Sequence, residues 1–241
     1  MNKESNVYII IYSTVMVVVV AVLLAVAALS LKDRQDANIL NEKKSAILAS
    51  LGAADQNYDE FINAYVVNAE GEQIEGDVFV LLQDLKGSFE QGLYPVFEAQ
   101  DGRVVLPITG TGLWGPIWGY IALESDMNTV AGIVLDHSGE TPGLGAEIAT
   151  PKFAGQFTGK EIFVNGEFAS IAIVKGGAKE GSTNEVDAIS GGTITSKALD
   201  SSIKMWLEAY LPYIKSLQAL AATPMPIEGE VVATQENVEN N

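Results

Sequence analysis

Cysteine is absent from all 241 residues, and histidine occurs once, at His137. Without thiolates the chain can form no disulfide and no zinc ribbon. It can hold no iron–sulfur cluster or c-type haem through its own sulfur, and it has no Cys nucleophile. One His also excludes a His-rich metal site. Redox chemistry, if present, needs an organic cofactor or a partner. Basic residues are scarce as well: 14 Lys and Arg stand against 31 Asp and Glu, so the net charge is 14 − 31 = −17. That sign argues against a nucleic-acid binder, because the phosphate backbone selects Lys and Arg. No repeat of 20–50 residues is visible. The length corresponds to one medium domain with appendages, or at most two small ones.

What is present divides into pieces. After a short flank, residues 1–7, positions 8–31 read YIIIYSTVMVVVVAVLLAVAALSL, with no charge, Pro or Gly. As a helix these 24 residues would reach about 36 Å, enough to cross a hydrocarbon core of about 30 Å. Ala25-Val26-Ala27 resembles a signal-peptidase site, but a signal peptide's apolar region is shorter, about 7–15 residues. The reading is an uncleaved membrane anchor. Lys and Arg counted beside the span (Lys32, Arg34, Lys43 and Lys44 against Lys3) lean towards a cytoplasmic domain by a small margin. Residues 1–44 carry five basic and four acidic groups, 5 − 4 = +1, and residues 45–241 carry nine and 27, 9 − 27 = −18. The acidity belongs to the part beyond the anchor, where it supports solubility.

Residues 32–60 are expected to form a linker helix: Leu40, Lys44, Ile47 and Leu51 have helical spacing, and Gly52 is a stop signal. Short β-type runs follow at 61–69, 103–108, 117–124, 130–136 and 169–175. Residues 195–211 form an amphipathic helix with Leu199, Ile203, Trp206 and Tyr210 on one face, ended by Pro212. Residues 223–241 have two Pro, four Glu and no aromatic or basic residue, which predicts a disordered acidic tail. The expected architecture is α+β: residues 61–222 form a compact domain with a mixed or antiparallel sheet and flanking helices, tethered by one N-terminal transmembrane helix.

Gly110-Thr111-Gly112-Leu113-Trp114-Gly115 fits a GxGxxG spacing, but a dinucleotide site needs a helix to start there. Pro116 and a strand-like segment follow instead, so the glycines read as a turn. Trp114 and Trp118 either pack in the core or line a pocket for a flat ligand. Two segments hold the remaining chemistry. In 186–197, VDAISGGTITSK, the small residues Ser190, Gly191 and Gly192 leave the Thr193 hydroxyl accessible where a helix begins. A helix N-terminus favours a phosphate group. The plain alternative is a glycine turn with Thr195 or Ser196 as N-cap. In 135–148, LDHSGETPGLGAEI, the turn Thr141-Pro142-Gly143-Leu144-Gly145 allows close backbone approach to a ligand. His137 is more often structural than catalytic in such a context. Glu140 either caps the turn or lines the pocket.

The order of these motifs resembles the NqrC family, the C subunits of bacterial sodium-translocating NADH:quinone reductases. That family has one N-terminal membrane helix, then Gly-Leu-Trp…Gly-Tyr, Glu-Thr-Pro-Gly-Leu-Gly and Asp-x-x-Ser/Thr-Gly-Ala-Thr. Here they stand as Gly112-Leu113-Trp114 with Gly119-Tyr120, Glu140 to Gly145, and Asp187 to Thr193. The resemblance covers about residues 1–220. The G subunit of a related electron-transport complex shares the same FMN domain and is the second candidate; a non-redox tethered binding domain is the third. The family resemblance implies FMN joined covalently through its phosphate to Thr193 by a separate flavin transferase that recognises Asp187 and Ser190. It implies cofactor contacts at Ser190, Gly191, Gly192, Ile194, Thr141, Gly143, Leu144 and Gly145. It implies single-electron relay towards a membrane-subunit flavin and quinone, within a complex of other subunits and the lipid bilayer, with no nucleic acid. It places the domain on the periplasmic side of the inner membrane, against the weak charge count. Gly192 replaces the usual Ala and Ala188 a frequent Gly, and both positions stay small.

Overall fold

Alternation along the strands sorts the apolar residues onto two faces of one sheet, and a long helix covers each face. The computed structural model describes residues 6–222. The helices are α1 (Asn6–Ser50), α2 (Tyr58–Phe61), α3 (Val78–Leu81), α4 (Leu85–Glu90), α5 (Pro151–Ala154) and α6 (Thr193–Ala222). The strands are β1 (Ile62–Val67), β2 (Gln73–Ile74), β3 (Tyr94–Ala99), β4 (Val104–Thr111), β5 (Pro116–Leu123), β6 (Val130–His137), β7 (Phe163–Val164), β8 (Glu167–Phe168), β9 (Ala172–Val174) and β10 (Glu185–Asp187). Six strands form an antiparallel sheet in the order β2-β1-β3-β4-β5-β6. The pair β7–β8 is antiparallel, and β9–β10 is a separate parallel pair.

On one face Val96, Leu106, Ile108, Ile117 and Ile121 pack with Leu199, Ile203, Trp206, Leu207, Tyr210 and Ile214 of α6. Two polar tips find strand carbonyls there: Trp206 Nε1 donates to Thr109 O at 2.7 Å and Tyr210 OH to Pro95 O at 2.7 Å. The other face holds Val66, Phe97, Val105, Tyr120 and Ala122, covered by Ile47 and Leu48 of α1 and by Leu51. Arg103 Nη1 donates to Leu51 O at 2.6 Å and ties the end of α1 to the start of β4.

Several expectations change. The anchor and the expected 32–60 linker are not separate helices. α1 runs 45 residues without a break and ends at Ser50, with Gly52 at φ +65° just beyond. Its last turn is buried in the domain, so the connection is a continuous rod and not a loose tether. The amphipathic helix starts at Thr193, two residues earlier than expected, and does not stop at Pro212. A Pro inside a helix costs roughly 3 kcal/mol, but Pro212 lies on the exposed face and its neighbours Tyr213 and Ile214 are buried. Their packing carries the helix past it. Strand β3 matches none of the expected β-type runs, and the 169–175 run shrinks to β9, outside the main sheet. The expected tail, 223–241, lies outside the described residues, as do residues 1–5 of the N-terminal flank.

Candidate functional site

Three glycine-containing loops converge on the start of α6. The first is the turn between β4 and β5, closed by Gly112 N–H on Gly115 O at 2.8 Å. β5 follows at once, so the GxGxxG spacing has no helix behind it. The second is 141–145, after β6. The third is 188–192, between β10 and α6. Gly191 has φ +77°, a conformation that favours glycine, and a Cβ there would lie 2.6 Å from Leu144 Cδ2. Loops two and three therefore touch at Leu144 and Gly191.

Glu140 joins the first two loops to the first turn of α6. Its Oε1 accepts from Trp114 N–H at 2.9 Å, and its Oε2 accepts from Thr195 Oγ1 at 2.6 Å. Space for the carboxylate comes from two glycines. A Cβ on Gly112 would lie 2.4 Å from Oε1, and one on Gly145 would lie 2.2 Å from Oε2. Burial raises the Glu140 pKa. The hydrogen bonds from Thr195, Trp114 and Leu113, with the His137 field, outweigh that and hold it below the ordinary carboxylate range. The sequence alone leaves Glu140 between capping its own turn and lining a pocket. Instead it reaches 26 residues back and 55 residues forward, distances that no local pattern signals. Neither Thr195 nor Ser196 is the N-cap: both are buried in the first turn, and Ser196 Oγ accepts from Ile189 N–H at 3.1 Å. The helix begins at Thr193, with Ser196 N–H on Gly192 O at 2.9 Å.

Thr193 is the first residue of α6 and is exposed, and its hydroxyl has no partner among the described residues. The converging loops and the helix start carry apolar side chains that the protein leaves uncovered: Trp114 at 69% exposure and Ile194 at 58%, with Leu113 and Leu144 also exposed. Ser190, Gly191, Thr141 and Gly143 are exposed, while Gly192 and Gly145 are buried. The 141–145 loop uses its own amides. Gly143 N–H goes to Glu147 Oε1 at 3.2 Å and Leu144 N–H to Thr141 O at 3.1 Å. What the loop presents outward is therefore mainly the Leu144 side chain. Asp187 is exposed on β10, where Oδ1 accepts from Ala178 N–H at 2.7 Å. Its hydrogen bonds go to Ala178 and Gln156, outside the three loops.

The two tryptophans part company. Trp118 alternates with Ile117 on β5 and faces the α1 side, where it lines a groove of about 620 Å³ with Lys43, Leu82 and Tyr120. Thr193 lies across the sheet from it. His137 Nδ1 accepts from Glu140 N–H at 3.3 Å, a structural turn contact.

A flat, phosphate-bearing ligand suits this seat. The seat offers an apolar rim, a helix start and a free hydroxyl, with glycines where backbones meet. Residues 112–208 match the model of the FMN-binding domain family. The chain is 31% identical to the C subunit of the Na(+)-translocating NADH-quinone reductase of Vibrio vulnificus, covering 78% of this chain and 86% of that protein. It is also 31% identical to the C subunit of the Pseudomonas aeruginosa reductase, over 86% and 93%. The crystal structure of the corresponding protein from Parabacteroides distasonis superposes with a TM-score of 0.70 at 43% identity, covering 76% of this chain and 96% of that one. With its FMN-binding domain and, among the described residues, one helix long and apolar enough to cross a membrane, the chain belongs to the NqrC family, the C subunits of the Na+-translocating NADH-quinone reductase complex.

Proposed function

We propose that the Thr193 hydroxyl is the covalent attachment point of FMN, and that the loaded domain relays single electrons from the NADH side of the complex towards a membrane-subunit flavin and quinone. The observation that carries this reading is the unpartnered Thr193 hydroxyl, exposed at the first position of α6, beside the exposed Ile194 and where the loops that carry Leu113, Trp114 and Leu144 converge. In the attachment step, Thr193 Oγ1 attacks the flavin-side phosphorus of FAD. The Oγ1–P bond forms, the pyrophosphate P–O bond breaks, AMP leaves, and the hydroxyl proton goes to a base or to solvent. A flavin transferase supplies that reaction, with Asp187 and Ser190 as recognition residues. The start of α6 stabilises the remaining phosphate charge by about 0.3–1 kcal/mol.

Bound flavin supplies one-electron transfer. Leu113, Trp114, Leu144 and Ile194 shield the ring from water, and Gly191 and Gly192 keep the approach to Thr193 open. A covalent link keeps the carrier in place through each redox cycle. Residues 8–31 anchor the domain, which we place on the periplasmic face, with the other subunits of the complex as its electron partners. Sodium movement belongs to the complex, because one uncharged helix offers no ion path.

Ultraviolet-excited fluorescence of a denaturing gel tests this. The chain and Thr193→Ala are each co-expressed with a flavin transferase. A bright wild-type band and a dark variant are expected. Two dark bands, with the transferase active on a control substrate, overturn the attachment. Rapid NADH oxidation by the isolated, loaded protein overturns the relay.

A further inference from the structure

Among the described residues, Glu140 is the one charged side chain that is buried, at 5% exposure. Burying a carboxylate is costly unless donors or a cation compensate it. No Lys or Arg does so here: the ion pairs among the described residues are Lys44–Asp59, Arg103–Asp101 and Lys179–Glu185. Trp114 N–H and the Thr195 hydroxyl provide the compensation, one on each oxygen. The sheet core does not need this group, since both faces close with apolar side chains and the two strand-directed hydrogen bonds of α6. Its partners are instead the elements that carry the exposed rim. Trp114 is bonded through its own N–H, Leu144 lies in the loop that Glu140 opens, and Ile194 and Thr193 immediately precede Thr195.

We infer that Glu140 is the positioning residue of the flavin seat: its ionised carboxylate fixes the 112–115 turn, the 141–145 loop and the first turn of α6 against one another, and places a fixed negative charge beneath the site. The first half is a property of the protein alone. The second half rests on the Thr193 reading. A glutamine removes the charge: it can still accept from Trp114 N–H, but it faces the Thr195 hydroxyl with an amide N–H, so the charge-assisted Thr195 bond is exchanged for a weaker neutral one with its donor reversed. A fixed negative charge also makes a neighbouring group harder to reduce, so its removal shifts the flavin midpoint potential in the positive direction.

The test uses the full chain with Glu140→Gln, Thr195→Val and Thr195→Ser. Without the transferase, amide hydrogen exchange is followed at 112–115, 141–146 and 193–196. Glu140→Gln and Thr195→Val are expected to exchange at least about tenfold faster there, with the sheet unchanged. Thr195→Ser keeps the hydroxyl and is expected to behave as the parent. With the transferase, covalent flavin falls in the first two variants. The potential of the flavin that does attach moves positive in Glu140→Gln and stays put in Thr195→Ser. Unchanged exchange in both Glu140→Gln and Thr195→Val overturns the positioning role. Changed exchange with an unchanged potential in Glu140→Gln overturns the electrostatic half. If Glu140→Gln does not fold, Thr195→Val decides the positioning role, since it removes the 2.6 Å bond with little change of volume. A parent chain that takes up no flavin refutes the Thr193 attachment while the exchange result still stands.

Discussion

Helices α1 and α6 use similar apolar residue types and distribute them differently. Over 8–31, α1 is apolar all round its axis. Its 18-residue window has a mean hydropathy of 3.0, and none of it is buried against the protein. In α6 the apolar residues form a stripe, and Leu199, Ile203, Trp206, Leu207, Tyr210 and Ile214 all meet the sheet. The contrast shows that distribution around the axis identifies the surroundings. A stripe implies a protein face on one side and water on the other; apolar residues all round imply lipid. The last turn of α1 joins the second regime, where Ile47 and Leu48 are buried.

Three measurements break or sharpen this contrast. The largest effect is expected from paired truncations. Trp206→Ala empties a fully buried site and costs about 3–5 kcal/mol of domain stability, read by urea unfolding of the detergent-solubilised chain. Leu23→Ala, on the lipid-facing part of α1, leaves the midpoint unchanged within about 0.5 kcal/mol. Equal costs would break the contrast. Next is Pro212→Ala. It restores a solvent-side helix hydrogen bond and is expected to add about 1–3 kcal/mol, seen as a higher Tm. A lower Tm would mean that the packing of Tyr213 and Ile214 depends on a bend at Pro212.

The smallest effect concerns acid. The folded pKa of Glu140 lies below its unfolded value. Its contribution to stability is therefore complete above the ordinary glutamate range, about 4.3, and is lost as pH falls through the lowered value. Glu140→Gln should flatten the acid limb of the stability profile below about pH 5 and leave the neutral limb parallel to the parent. An unchanged acid limb would detach Glu140 from the start of α6. The test bears on α6 alone, because α1 buries no carboxylate among the described residues.

Much of the fold is legible because it is locally encoded. The apolar run of α1, the stripe of α6 and the short β-type runs of β1, β4, β5 and β6, with their Gly, Asn and Pro boundaries, each announce themselves over 6–24 residues. β3 escapes notice because Pro95 cuts it to the four residues 96–99, one of them Glu98, whereas β4 keeps Val104, Val105 and Leu106 ahead of its own Pro107. Its carbonyl at Pro95 is nevertheless used by Tyr210, 115 residues away. The end of α6 is misread for a related reason: a Pro rule knows nothing of which side faces solvent. At the site, Thr193, Gly191 and Leu144 carry sequence signals, since small residues before a helix and a Pro-Gly turn are recognisable. The Glu140–Thr195–Trp114 connection carries none. It joins three segments that only the folded chain brings together. The separation of Trp114 from Trp118 is equally invisible until the strand register is known.

The unbroken course of α1 through residues 32–50 has a mechanical consequence. A helix turns about 100° per residue and rises about 1.5 Å, so the span and the domain are geared to each other. One residue inserted after Lys32 would swing the flavin seat about a quarter turn round the membrane normal for only about 1.5 Å of lift. Seven inserted residues would return it to within about 20° of its first heading while lifting it about 10 Å. Height above the bilayer and compass direction are thus set by one number, the count of residues between the span and Ser50. A docking partner in the membrane would feel a change in that count as a periodic function, with restored alignment near every second turn.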